Sequence, residues 1–193
     1  MMAHSCAKTR IFHVALGGNV ETSHGSPQKT IETVLFSLAN DELRITRQSL
    51  LYDTPAFPEG SGPNFVNGVV EISTTLSEQD LLERLHDIEA EYGRKRISRW
   101  GARTLDLDIL ASGQDIVPNS DFWQFWHDLP AERQQTEAPD TLVLPHPRLH
   151  ERAFVLVPFN DVAPDWCHPV LGLTVREMLD ALPAKVKNEV KPL

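Results

Sequence analysis

The chain is expected to fold as an α+β domain, a sheet with helices on its faces, because strand-like apolar runs and amphipathic helical runs share its 193 residues without regular alternation. A hairpin-like pair of runs early in the chain argues against a doubly wound parallel sheet. A composition of 41% hydrophobic and 23% charged residues is ordinary for a soluble globular protein, and the length suits one domain, residues 1–193, with a core of its own.

Residues 11–16 (IFHVAL) form a short apolar run that stops at Gly17, Gly18 and Asn19, as a buried strand does on entering a turn. A glycine pair there lets a phosphate approach the backbone, but the remainder of a P-loop or of a dinucleotide-binding fingerprint is absent. Ser26 before Pro27 is a cap and first-turn signal, and Ile31, Val34, Leu35 and Leu38 follow at helical spacing. Residues 43–52 read as a second strand with Arg44, Thr46 and Gln48 on the wet side. Residues 54–64 (TPAFPEGSGPN), with three prolines and two glycines, are expected to be a loop of the long kind that carries function.

Residues 65–73 return as a strand, with Phe65, Asn67, Val69 and Glu71 on one face and Val66, Gly68, Val70 and Ile72 on the other. Asn67 beside Phe65 suits either recognition of a heterocycle or a strand-end hydrogen bond. Ser77 and Asp80 open a helix whose buried stripe is Leu81, Leu85, Ile88 and Tyr92, and Gly93 ends it. Glu89 lies one position off that stripe and reads as a surface carboxylate.

The next segment, residues 94–110 (RKRISRWGARTLDLDIL), concentrates the chemistry. Arg94, Lys95, Arg96, Arg99 and Arg103 fall within ten residues, in a loop that carries Gly101. Guanidinium forks match phosphate oxygens in a bidentate way. In the strand of residues 104–110 that follows, Asp106 and Asp108 share one face while Leu105, Leu107 and Ile109 share the other. Like charges about 7 Å apart on one face repel. The pair is therefore either a solvated edge strand or a site for a hard divalent ion, most naturally Mg²⁺ shared with substrate phosphates.

In residues 119–141, Phe122, Phe125, Trp126 and Leu129 repeat at helical spacing before Pro130, with polar linker after it. That stripe is expected to cover its own domain, or else to meet a partner. Residues 144–159 (LPHPRLHERAFVLVPF) bracket His146 with prolines and end in an apolar strand-like run. His146 and Arg152 could each donate to a phosphate or lie on the ordinary surface. Thr174 with Glu177 caps a last helix over residues 175–182, and the tail AKVKNEVKPL is expected to fray.

The formal net charge of −9 leaves the basic cluster without a broad basic surround, so no nucleic-acid partner is expected. No apolar run approaches the roughly 20 residues of a membrane span, and the polar start lacks a signal-peptide core. Cys6 and Cys167 are far apart and form neither a disulfide framework nor a zinc pattern, which fits a cytoplasmic location.

The segments RWGARTLDLDIL, LPHPRLHERAFVLVPF, ALGGN and YDTPAFPEGSGPNFVN together resemble 6-hydroxymethyl-7,8-dihydropterin pyrophosphokinases of folate biosynthesis. The resemblance runs from about residue 11 to residue 182 apart from about residues 119–141, which it marks as an insertion. It implies a ferredoxin-like, mostly antiparallel sheet between helical layers. It also implies transfer of the β,γ-pyrophosphoryl group of ATP to the hydroxymethyl oxygen of the pterin, with two Mg²⁺ ions, release of AMP, and a monomeric enzyme. By the same resemblance Asp106 and Asp108 hold metal, and Arg94, Arg96 and Arg103 grip the transferred phosphates. Thr54, Pro55, Phe57, Phe65, Asn67, Trp100 and Phe154 surround the pterin. Glu89, Arg96, Arg103, Ile109, His146 and Arg152 serve ATP. Rival readings of the residues alone are a metal-dependent phosphohydrolase and a non-catalytic binding module.

Overall fold

A computed structural model describes residues 8–39, 42–56, 62–93, 103–134 and 136–193. Strand β1 (Arg10–Gly18) leads to helix α1 (Pro27–Leu38), then β2 (Arg44–Gln48), β3 (Tyr52–Thr54), β4 (Phe65–Thr74), α2 (Glu78–Glu91) and β5 (Asp106–Ser112). This β-α-β-β-β-α-β run is followed by α3 (Ser120–His127), α4 (Ala131–Gln134), a 3₁₀ turn (Leu149–Glu151), α5 (Ala153–Val162), α6 (Val175–Ala181), α7 (Ala184–Asn188) and β6 (Lys191–Pro192). Among the described residues the sheet has six strands in the order β5-β1-β4-β3-β6, with β2 also on β4, and the strand pairings are antiparallel. The expected α+β class holds.

Period-2 patterning divides the strands between two cores. Phe12, Val14, Leu16, Val70, Ile72, Leu107 and Ile109 pack against Ile31, Val34, Leu38, Leu81, Leu85 and Ile88 of α1 and α2. On the other face Val69 and Leu110 pack against Val155, Leu156 and Phe159 of α5 and Val175 and Met178 of α6. The caps form as their sequences predict. Ser26 accepts from the Lys29 N–H, and Ser77 with Asp80 and Thr174 with Glu177 make reciprocal capping boxes.

Four expectations are corrected. Residues 43–52 split into β2 and β3, because Ser49 exchanges hydrogen bonds with the Val69 backbone through both its amide and its hydroxyl, and Leu51 tucks against Gly68, where a Cβ would meet Leu51 Cδ2 at 2.9 Å. The apolar run ending at Phe159 is helix α5, not a strand: buried between the sheet and α6, a helix is apolar on several sides and loses its period signature. In α3 the buried ring is Trp123, fully inaccessible, while Phe125 is 51% exposed. An indole N–H needs a buried acceptor, and Trp123 finds one in the Pro145 carbonyl at 2.7 Å.

The tail does not fray. After α7, Val190 packs with Tyr52 and Ala153, and Lys191 and Pro192 pair with Asp53 and Tyr52 as an edge strand, where a proline is tolerated. Among the described residues no helix is long and apolar enough to cross a membrane.

Candidate active site

Antiparallel pairing brings the end of β1 and the starts of β4 and β5 to one rim of the sheet. Gly17 faces Asn67 on one side and Asp106 on the other, and Ala15 lies between Val69 and Asp108. Residues paired across strands share a face, so Asn67, Asp106 and Asp108 project into the same layer that α5 covers further along. Gly17 keeps the three strands close: a Cβ there would stand 2.7 Å from Asn67 Oδ1. The Asn67 amide N–H donates to the Thr54 hydroxyl at 2.6 Å, and both side chains are buried at 9% and 2% exposure. That bond fixes the amide's orientation, with its oxygen over Gly17.

Asn19, read from sequence only as a turn residue, ties the loops around this rim. Its N–H donates to the Arg103 carbonyl at 2.9 Å, its Oδ1 accepts the Arg103 N–H at 2.8 Å, and its Nδ2 donates to the Pro63 carbonyl at 3.1 Å. A side-chain amide after a glycine pair commonly bonds loop backbone in this way, which was the available signal. Asn19 thereby sets where Arg103 enters β5, and the Arg103 guanidinium pairs with Asp106.

The opposite wall is the segment between β5 and α5. The His146 N–H donates to the Leu110 carbonyl at 2.8 Å, and its Nδ1 accepts the Arg148 N–H at 3.1 Å. An accepting Nδ1 leaves the neutral ring's proton on Nε2, a donor. The residue is half-buried, and burial pushes its pKa down to about 3; Arg152 and Arg148 act in the same direction and Asp106 opposes them. Arg152, just before α5, has its pKa lowered chiefly by burial, against which Asp108 acts most strongly. Its guanidinium lies 5.7 Å from the centroid of Phe154, which is 38% exposed.

The structure thus brings together Thr54, Asn67, Arg103, Asp106, Asp108, His146, Arg152 and, at the margins, Pro55, Phe65 and Phe154. It places two expected residues elsewhere. Ile109 is 3% exposed in the α1–α2 core, so its side chain faces away from the rim. Glu89 is no surface carboxylate: at 2% exposure it accepts the Leu107 N–H at 2.7 Å. Phe57, Arg94, Arg96 and Trp100 lie outside the described residues. Among the described residues no group of three or more His, Cys, Asp and Glu side chains comes together for a metal. A hard ion on Asp106 and Asp108 would therefore complete its shell with oxygens from outside the chain, as Mg²⁺ shared with substrate phosphates does. The donor set fits that ion.

A carboxylate pair beside partly buried cations and a neutral imidazole donor, on the rim of an antiparallel α+β sheet, describes an enzyme of phosphoryl-group transfer. Residues 13–164 match the family model of 7,8-dihydro-6-hydroxymethylpterin-pyrophosphokinase. The 2-amino-4-hydroxy-6-hydroxymethyldihydropteridine pyrophosphokinase of Pseudomonas aeruginosa is 38% identical over 172 residues, 89% of this chain and 91% of that protein. Its counterpart in Haemophilus influenzae is 35% identical over 157 residues, 81% of this chain and 84% of that protein. Crystal structures of Plasmodium falciparum HPPK-DHPS share the fold: the wild type with pteroate has a TM-score of 0.63 at 16% identity over 90% of this chain, which spans 44% of that longer chain. The chain belongs to the 7,8-dihydro-6-hydroxymethylpterin-pyrophosphokinase family. It is a pyrophosphokinase, transferring pyrophosphate from ATP in folate biosynthesis.

Proposed function

We propose that 6-hydroxymethyl-7,8-dihydropterin binds at the Thr54–Asn67 end of the rim and ATP at the His146–Arg152 end, so that the β,γ-pyrophosphoryl group passes to the hydroxymethyl oxygen and AMP leaves. The observation that carries this reading is the register that sets Asp106 and Asp108 on the same face as Asn67, with Gly17 between them.

Asn67, its amide held by Thr54, reads the hydrogen-bonding edge of the pterin, and Phe65 and Phe154 supply ring faces. His146 donates Nε2–H to a phosphate oxygen without adding charge, and Arg103 and Arg152 neutralise the phosphates. Catalysis of this transfer is chiefly positioning and charge stabilisation. Two Mg²⁺ ions on Asp106 and Asp108, when bound, would neutralise the phosphate oxygens and orient the attacking and leaving groups. Because one sheet includes both β1 and β6, we read residues 1–193 as a single domain.

Incubation with Mg²⁺, ATP and 6-hydroxymethyl-7,8-dihydropterin, followed by chromatography of the nucleotides, tests the reading. AMP formed only in the presence of the pterin is expected. ADP, or AMP regardless of the pterin, would overturn it.

A further inference from the structure

Helix α3 meets the proposed ATP-facing segment at both ends of that segment. Trp123 is wholly buried, and its indole N–H donates to the carbonyl of Pro145, the residue before His146, at 2.7 Å. One turn along the same helix, His127 stacks on Trp123 with centroids 4.8 Å apart and planes inclined at 27°. His127 also stacks on His150 at 4.8 Å and 26°. His150 belongs to the 3₁₀ turn that ends just before Arg152. One end of the segment is thus held by a buried hydrogen bond, the other by a stack of rings.

Pro145 and Pro147 have no N–H to offer a ladder, and the His146 N–H bond to Leu110 ties the segment to β5 near its start. A helix that merely covered apolar surface would have no use for an indole N–H aimed at a backbone carbonyl; a phenyl ring would bury comparable area. Burial, with His127 as the next contributor, lowers the pKa of His150.

We propose that Trp123 and His127 are positioning residues for pyrophosphoryl transfer: they hold residues 145–152 in the conformation that presents His146 Nε2–H and the Arg152 guanidinium to the phosphates of ATP. This rests on the reading that the segment faces ATP. Neither residue touches substrate; each acts through the segment it braces.

The test uses the full chain, with steady-state kinetics in both substrates and melting temperatures for Trp123→Phe, His127→Ala, His127→Phe, His146→Ala and the Trp123→Phe/His146→Ala double variant. Trp123→Phe and His127→Ala are expected to raise KM for ATP about five- to tenfold, the effect of one buried hydrogen bond or stack, while KM for the pterin stays within about twofold. His127→Phe restores a flat ring and should behave nearly as wild type. In the His146→Ala background Trp123→Phe should add little, because its effect runs through that imidazole.

If His146→Ala raises KM for ATP but Trp123→Phe and His127→Ala do not, α3 is a cover only and the brace is refuted while the ATP-facing reading stands. Full additivity in the double variant refutes it equally. If His146→Ala leaves KM for ATP unchanged, the ATP-facing reading fails first and the brace falls with it. Should Trp123→Phe not fold, His127→Ala against His127→Phe decides the matter, since the His127 side chain is 22% exposed and tolerates truncation better.

Discussion

The N–H of Leu107 donates to Oε1 of Glu89 at 2.7 Å, so a carboxylate on α2 closes the outer edge of β5 at the peptide between Asp106 and Asp108. An edge strand exposes unpaired donors, and here one of them is satisfied from within the core.

Glu89→Ala should therefore lower stability by about 1–3 kcal/mol, the cost of a buried donor left without its acceptor. Glu89→Gln keeps an oxygen at that position and should lose less. Urea unfolding of the two variants compares them directly, and equal losses would contradict the hydrogen-bond explanation.

Asp106→Asn and Asp108→Asn should each reduce AMP formation by on the order of 100-fold or more, since each removes a charge from the proposed cation site, where phosphate charge would be neutralised. Stability should change little for Asp106→Asn, because its pair with Arg103 is partly exposed. Near wild-type turnover by either variant at saturating Mg²⁺ would remove that carboxylate from the proposed metal site.

Gly17→Ala puts a methyl group 2.7 Å from Asn67 Oδ1. The amide must turn away from its Thr54 bond or the strands must part. KM for the pterin should rise about tenfold, with KM for ATP little affected. An unchanged pterin KM would mean that Asn67 does not read the pterin.

Burial lowers the pKa values of His13 and His168 to about 4; Glu71 opposes the shift at His13, whereas His150 and His127 add to it at His168. The unfolded side chains titrate near 6.5. Between about pH 6.5 and pH 4 the unfolded chain thus binds more protons, and stability, fully present above pH 6.5, declines as the pH falls, by at most about 1.4 kcal/mol per pH unit for each histidine. The urea midpoint should follow that decline, and His13→Phe, packed beside Phe159, should reduce its slope. His146, lowered to about 3, stays neutral across the same window, so KM for ATP should show no His146 titration between about pH 5 and pH 8.

Much of the site was legible because the signals are local. Asp106 and Asp108 share a face by the period of a strand, and Ser26, Ser77 and Thr174 announce helix starts within three residues of the groups they bond. The family motifs added His146 and Arg152. The misread elements depend on distant neighbours. The apolar run from Ala153 is a helix because α6 and the sheet bury it from several sides. The tail is ordered because Lys191 finds a partner in Asp53. Trp123 rather than Phe125 turns inward because the Pro145 carbonyl awaits an N–H donor. Glu89 looks like any helical carboxylate until β5 is laid beside it.

Spacing along the chain encodes the class of fold, the two faces of β4 and β5, the buried stripes of α1 and α2, and the acidic and basic groups available for handling phosphate. Tertiary structure alone decided that Gly17 would stand between Asn67 and Asp106, that Asn19 would tie two loops, and that α3 would brace the segment carrying His146. Those are relations between residues far apart in the chain, settled by strand register and by buried polar groups finding partners, which local propensity does not encode.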